Sequence, residues 1–184
     1  MTPVPEFELR TIHEGGKDFG SLVSAEYGMS DEDGEDIAEN IAMGFEAMDL
    51  EVHVLLMSVD EQLVAGMLVV VLQECVLTGC ETVHPSRRRN GYGSKLLTDG
   101  AAHAVRCLGA QGALGKGATT HPVISHAATE ADDEFMCSVI HAHPCVTLTT
   151  EPPEEAVQAI TELRQCQSSE VDIYYRTDVA ITGC

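Results

Sequence analysis

Between Glu51 and Val83 three apolar runs follow one another almost without a break: EVHVLLMSV, QLVAGMLVVVLQ and CVLTGCETV. Each is rich in strand-forming residues, and Asp60–Gln62 reads as a hairpin-like interruption between the first two. Parallel neighbours need a crossover of about a dozen residues or more, so strands this close together must run antiparallel. An antiparallel meander is therefore the frame around which everything else has to be placed.

The flanks supply helices. FELRTI (Phe7–Ile12) alternates as a first strand does, and EGGKDFGSLVSAEYG predicts a short helix weakened by glycine. SDEDGEDIAENIAMGFEAM predicts a stronger one. Ser30 with Asp33 forms its capping signal, and Ile37, Ile41, Phe45 and Met48 form its apolar stripe. After the meander, Gly91–Leu108 predicts a helix that buries Leu97, Ala101, Ala104, Val105 and Leu108. ALGKGATT then reads as a strand, HPVISHAATEADDE as a short helix or loop opened by Pro122, and FMCSVIHAH as another strand. PPEEAVQAITELRQ predicts a late helix, and EVDIYYRTDVAIT a final strand with Tyr174 and Tyr175 on opposite faces. This order predicts an α/β fold: a mixed, predominantly antiparallel sheet flanked by helices. The length of 184 residues suits a single domain.

Charge narrows the function. Thirty Asp and Glu against ten Lys and Arg leave a net charge of −20, which disfavours nucleic acid and anionic membrane as partners. The acidity fits either a solvated surface suited to a high-salt cytoplasm or attraction of a cationic substrate. The seven cysteines are odd in number and form no CxxC, and no signal peptide is evident. Reduced thiols in a cytoplasmic protein are the expectation. The apolar stretch around Leu63–Leu72 is too short to span a bilayer.

Against that acidity, Arg87, Arg88, Arg89 and Lys95 fall within nine residues of VHPSRRRNGYGSKLL (Val83–Leu97). The stretch leaves a strand and enters a helix. A helix N-terminus offers unpaired backbone N–H groups and partial positive charge, glycines allow close approach, and arginines add charge. Such a turn suits a phosphate or pyrophosphate. The alternative is a plain connection whose arginines pair with nearby acids. A second glycine-rich stretch, GALGKGATT, imitates a nucleotide-binding loop but carries Ala110 and Gly117 where that loop needs Gly and Ser or Thr.

Val83-x-Pro85, then Arg88-Arg89-Asn90-Gly91-Tyr92-Gly93, then Leu96-Leu97 resembles the acyl-CoA signature of the GNAT superfamily of N-acetyltransferases. In that signature an Arg or Gln precedes two free positions, a Gly, one free position and a Gly or Ala. The element order agrees over roughly residues 7–145, and 145–184 reads as a less typical helix–strand extension of the one domain. The resemblance implies a GNAT-like acyl-CoA N-acyltransferase fold, with the strand carrying Val83 splayed from its neighbour and the thioester arm in the gap. It implies pyrophosphate held by the backbone of Arg88, Arg89, Asn90, Gly91, Tyr92 and Gly93. It also implies that a backbone N–H near Thr82 and Val83 polarises the acyl carbonyl. The co-substrate would be acetyl-CoA or another acyl-CoA, and the acceptor a small-molecule or protein amine.

Attack by an amine calls for a base, because a lysine amine titrates near 10.4 and an α-amine near 8. Glu81, Glu74 and His84 are the candidates around the splayed strand, Glu81 being nearest in sequence to the acyl site. Relatives use a Tyr on the helix after the fifth strand to protonate the thiolate. The segment expected to form that helix has no Tyr, which leaves Ser125, His126, His121 or solvent, with His126 expected inside the helix. The expected activity is acetyl transfer from acetyl-CoA to an amine by direct attack in a ternary complex. The alternative is an acyl-CoA-binding module of the same fold without turnover. A third reading places His141, His143 and Cys145 on one strand face as metal ligands, and an ordinary strand face is preferred. The last strand is free to pair within the chain or with a second copy, so a homodimer is open.

Overall fold

The computed structural model describes residues 4–114, 120–127, 130–143, 145–164 and 173–180. Its strands are β1 (Glu6–Thr11), β2 (Glu51–Val59), β3 (Gln62–Val71), β4 (Val76–Val83), β5 (Thr120–Ala127), β6 (Val146–Thr149) and β7 (Ile173–Ala180). They form one sheet in the order β1-β2-β3-β4-β5-β7-β6. β1 to β4 are successive antiparallel neighbours. Asp60 and Glu61 both take left-handed φ, at 51° and 61°, as a tight two-residue hairpin requires.

The helices are α1 (Ile12–Tyr27), α2 (Asp31–Glu46), α3 (Tyr92–Lys95), α4 (Ala101–Gln111), α5 (Glu130–Ala142) and α6 (Glu154–Arg164). The expected capping box on α2 is present, Ser30 and Asp33 satisfying each other's backbone N–H groups, and Thr11 with Glu14 does the same for α1. α3 continues through a π turn at Leu96–Gly100 into α4, so the helix expected over Gly91–Leu108 is one continuous element.

Alternation along the strands divides the core between the two faces of the sheet. Leu55, Met57 and Met67 pack with Leu96, Leu97, Val105, Leu108, Met136 and Tyr175 beneath α4 and α5. Val54, Leu56 and Leu68 pack with Phe19, Leu22, Phe45, Ile124 and Ile160 beneath α1, α2 and α6. Tyr174 and Tyr175 take opposite faces as expected. On α2 the most buried residues are Gly34, Ala38, Ala42 and Phe45, with Ile37, Ile41 and Met48 flanking them.

Beyond Gln111 the order of elements is as expected but their positions are not. His121–Ala127, expected in a helix or loop, lies in β5, and Phe135–Ala142, expected as a strand, lies in α5. The strand expected over ALGKGATT falls largely on residues outside those described. Pro122 is compatible with a strand because parallel pairing to β4 begins only at Val123. Phe135, Met136, Val139 and Ile140 follow helical spacing and all pack into the α5-side core. The His141–His143–Cys145 strand face does not exist, since His141 lies in α5 and Cys145 precedes β6. Among the described residues no three His, Cys, Asp or Glu side chains come together as a metal site. No described helix is long and apolar enough to cross a membrane.

Candidate functional site

β4 and β5 are parallel neighbours over three residue pairs only: Val76–Val123, Leu77–Ile124 and Thr78–Ser125. Beyond that point β4 stays paired to β3, and β5 to β7, but not to each other. The sheet therefore opens into a V with Thr78 and Ser125 at its vertex, their hydroxyls 2.7 Å apart and buried. β4 carries a bulge on the open side: Leu68 faces Gly79 and Gly66 faces Thr82, so Met67 stands against both Cys80 and Glu81. Cys80 sits at a left-handed φ of 54°, unusual for a residue with a side chain.

That bulge sets Glu81 beside the opening. Glu81 is half-buried, and its Oε1 is buried with no hydrogen-bond partner among the described residues. Burial pushes its carboxyl up to about 7; a backbone hydrogen bond within the residue opposes the rise and the Asp132 carboxylate of α5 adds to it. Thr82 is buried with its hydroxyl on the Cys80 carbonyl, and Val83 packs against the core near Gly93.

The arginine-rich turn follows. Pro85–Arg87 makes a single 3₁₀ turn, capped by His84 through the Ser86 N–H. The Asn90 side chain donates to the carbonyls of Arg87, at 2.9 Å, and Arg88, at 3.3 Å, which folds the loop on itself. Arg89 and Gly91 take left-handed φ of 65° and 76°. The Gly91 carbonyl accepts the first helical bond, from Lys95 N–H. A Cβ on Gly91 would meet nothing within 4 Å, so this glycine borders open space. A Cβ on Gly93 would lie 2.9 Å from the Phe135 ring of α5, so only glycine lets the two elements approach this closely. Arg87 bonds to Gln62, and Arg88 to Glu26 of α1 at 2.7 Å. The exposed Arg89 has no hydrogen bond or ion pair with any described residue. The turn thus presents glycine backbone, a helix start and an uncommitted guanidinium, a donor set that fits a pyrophosphate. On the hairpin side an open groove of about 510 Å³ is lined by Gln62, Leu63, His84, Ser86 and Arg87.

The other candidates divide. Ser125 lies at the vertex, but on β5 and not on a helix. His126, also on β5, faces the opposite side of the sheet with its ring 5.1 Å from that of Tyr174. Glu74 and His121 belong to the closed end of the V. Glu74 N–H donates to Glu155, and His121 is buried with its Nε2 unpartnered among the described residues.

The sequence pattern did not reveal three participants: Glu26, Asp132 and the Tyr175 hydroxyl. Tyr175 stands opposite Ser125 in register and donates to the Asp133 carboxylate of α5, with the Cys137 sulfur 3.9 Å away. α5 itself carries no Tyr. The only linear hint was the acid pair opening α5, which on its own reads as helix-start charge.

No family model matches the chain, and no curated protein matches it by sequence. Solved structures do match by shape. An acetyltransferase of the GNAT family from Staphylococcus aureus Mu50 superposes with a TM-score of 0.52 at 12% identity, covering 95% of this chain and 99% of that one. Tetrahymena GCN5 gives 0.53 at 11% identity, covering 97% and 98%. N-acetylglutamate synthase from Neisseria gonorrhoeae, complexed with coenzyme A and N-acetyl-glutamate, gives 0.53 at 16% identity over 95% of this chain and 35% of that one. The chain has the GNAT acyltransferase fold.

Proposed function

We propose that the protein is an N-acyltransferase that moves an acetyl group from acetyl-CoA to an amine acceptor by direct attack in a ternary complex. The observation that carries this is the conjunction of the V between β4 and β5 with the Arg88–Gly93 turn at its open end. The fold supports it, as does the similar structure that holds coenzyme A.

In this reading the backbone from Arg88 to Gly93 binds the pyrophosphate, with Gly91 leaving it room. Thr82 and Val83 border the acyl group. Glu81, a buried carboxyl whose pKa is raised to about 7, takes the proton from the attacking amine. The amine nitrogen bonds to the acyl carbon, the carbon–sulfur bond breaks and the thiolate is protonated. Ser125 and Thr78 share a hydroxyl–hydroxyl bond at the vertex where the strands part, and His126 lies on the other face. A second reading, acyl-CoA binding without turnover, rests on the lack of a Tyr in α5 and on the Tyr175 proton being committed to Asp133.

Calorimetric titration with acetyl-CoA and desulfo-CoA tests the site, with an amine screen for turnover. Gly91→Asp keeps its side chain in open space, tolerates the left-handed backbone better than most residues, and puts a negative charge where the pyrophosphate would lie. We expect folded protein with affinity reduced about 100-fold or more, as like charges brought together at a phosphate site imply. Undiminished affinity would remove the turn from the site. Binding without turnover on any amine would favour the second reading.

A further inference from the structure

The first arginine of the glycine turn does not point freely toward a ligand. Arg88 NH2 donates to Glu26 Oε1 at 2.7 Å, and Arg88 Nε lies 3.4 Å from the Val83 carbonyl. Glu26 belongs to the last turn of α1, sixty-two residues earlier in the chain. Its side chain is 23% exposed against 48% for Arg88, so the carboxylate is the more enclosed partner. An exposed ion pair contributes little to stability, but its placement is informative. It joins the helix layer over one face of the sheet to the turn at the open end of the V. Tyr27, next to Glu26, lies within electrostatic reach of Cys80 on the bulge, Asp132 on α5 and Arg88 itself. The last turn of α1, the bulge, the start of α5 and the glycine turn therefore meet at one place.

We infer that Glu26 is a positioning residue that pins α1 to the CoA-binding turn through Arg88, so that filling the turn orders the last turn of α1. This rests on the proposed acyl-CoA site and adds a coupling between its turn and α1. A ligand that binds the turn raises the cost of opening whatever is tied to it. Without the pin, the end of α1 keeps the Gly28 and Met29 N–H groups on the Ser24 carbonyl and the Ser24 hydroxyl on the Ser30 carbonyl, contacts that do not involve the glycine turn. Its last turn then opens independently of the ligand.

Hydrogen exchange of the full chain with and without saturating CoA tests this, read on the peptide spanning residues 22–29. In the parent, CoA should slow exchange there at least severalfold. Glu26→Ala suits a helix and leaves the turn's backbone intact, so it should bind CoA within about threefold of the parent by calorimetry yet lose the slowing. Equal slowing in the variant, or none in the parent despite CoA binding, would overturn the pin while leaving the acyl-CoA site standing. Absence of CoA binding in the parent would overturn both, and calorimetry separates that case from the others.

Discussion

The two ends of β4 are built to different standards. At the closed end, Val76, Leu77 and Thr78 are buried and paired on both sides, to β3 and to β5. The turn that leads into them is also closed off. Glu155 of α6 accepts the N–H groups of Gln73 at 2.9 Å and Glu74 at 2.5 Å, and Leu72 N–H bonds the Cys75 carbonyl. At the open end the same strand has, among the described residues, one neighbour, a bulge, a residue at left-handed φ and a carboxyl oxygen buried without a hydrogen-bond partner. Left-handed φ at a residue with a side chain and a buried polar atom without a partner each cost free energy. Polar groups left unmatched by the fold are groups available to a ligand, and here they lie beside the glycine turn.

The sharpest test of that contrast is Glu81→Gln. Loss of a general base should lower turnover about 100-fold or more while CoA affinity stays within a few fold. Stability should move the other way. The Glu81 carboxyl has its pKa raised to about 7 from 4.5, so between those values the folded chain holds a proton that the unfolded chain has released. Stability therefore declines as pH rises through that window, and above pH 7 the Gln variant should melt a few degrees higher than the parent. Parent turnover should rise with pH through about 7 as the base ionises, and the variant should lack that limb. If the limb persists in Glu81→Gln, the base lies elsewhere.

Glu155→Ala breaks the comparison from the opposite side. It unpairs two N–H groups at the closed end and touches nothing at the open one. The expected loss is about 1–2 kcal/mol, which lowers Tm by roughly 2–8 °C. Turnover per folded molecule and CoA affinity should stay unchanged below the transition. A large fall in CoA affinity would show that the two ends of β4 are not independent.

The same divide runs through what the sequence could reveal. The meander and the early helices were legible because their patterns are local: apolar runs joined by a two-residue turn, Ser30 with Asp33, and buried Leu97, Ala101, Ala104, Val105 and Leu108 at helical spacing. The turn was legible because its charge departs from that of the chain. Past Gln111 the local signals misled. Pro122 resembles a helix start, but it falls before the pairing of β5 to β4 begins, so its missing N–H takes nothing from that ladder. FMCSVIHAH resembles a strand by composition, yet its apolar residues share a helical face. Ser125 and His126, expected in a helix or loop, therefore lie on β5, Ser125 at the vertex and His126 on the opposite face. Glu26 and Asp132 were illegible for another reason. Their relation to Arg88 and Glu81 exists only once distant segments are folded together, and no spacing along the chain encodes it.

The smallest effect belongs to Cys80, and it tests whether the bulge itself matters. A side chain at φ 54° carries a backbone cost of about 1 kcal/mol that glycine avoids, while glycine also loses more entropy on folding. The two terms nearly cancel, so Cys80→Gly should change stability by less than about 0.5 kcal/mol. Cys80→Val puts a β-branched residue in the same conformation and should cost about 1–2 kcal/mol. It can recover that loss by straightening the strand, which would turn Glu81 away from the opening. The comparison is therefore best read as turnover at equal folded fraction, from denaturant curves and rates on the same samples. Parent-like turnover in Cys80→Gly with a reduced rate in Cys80→Val would mean that the bulge aims the carboxylate. Equal rates in all three would mean that Glu81 acts from a position the bulge does not control, and that the left-handed residue is a consequence of the V and not part of its chemistry.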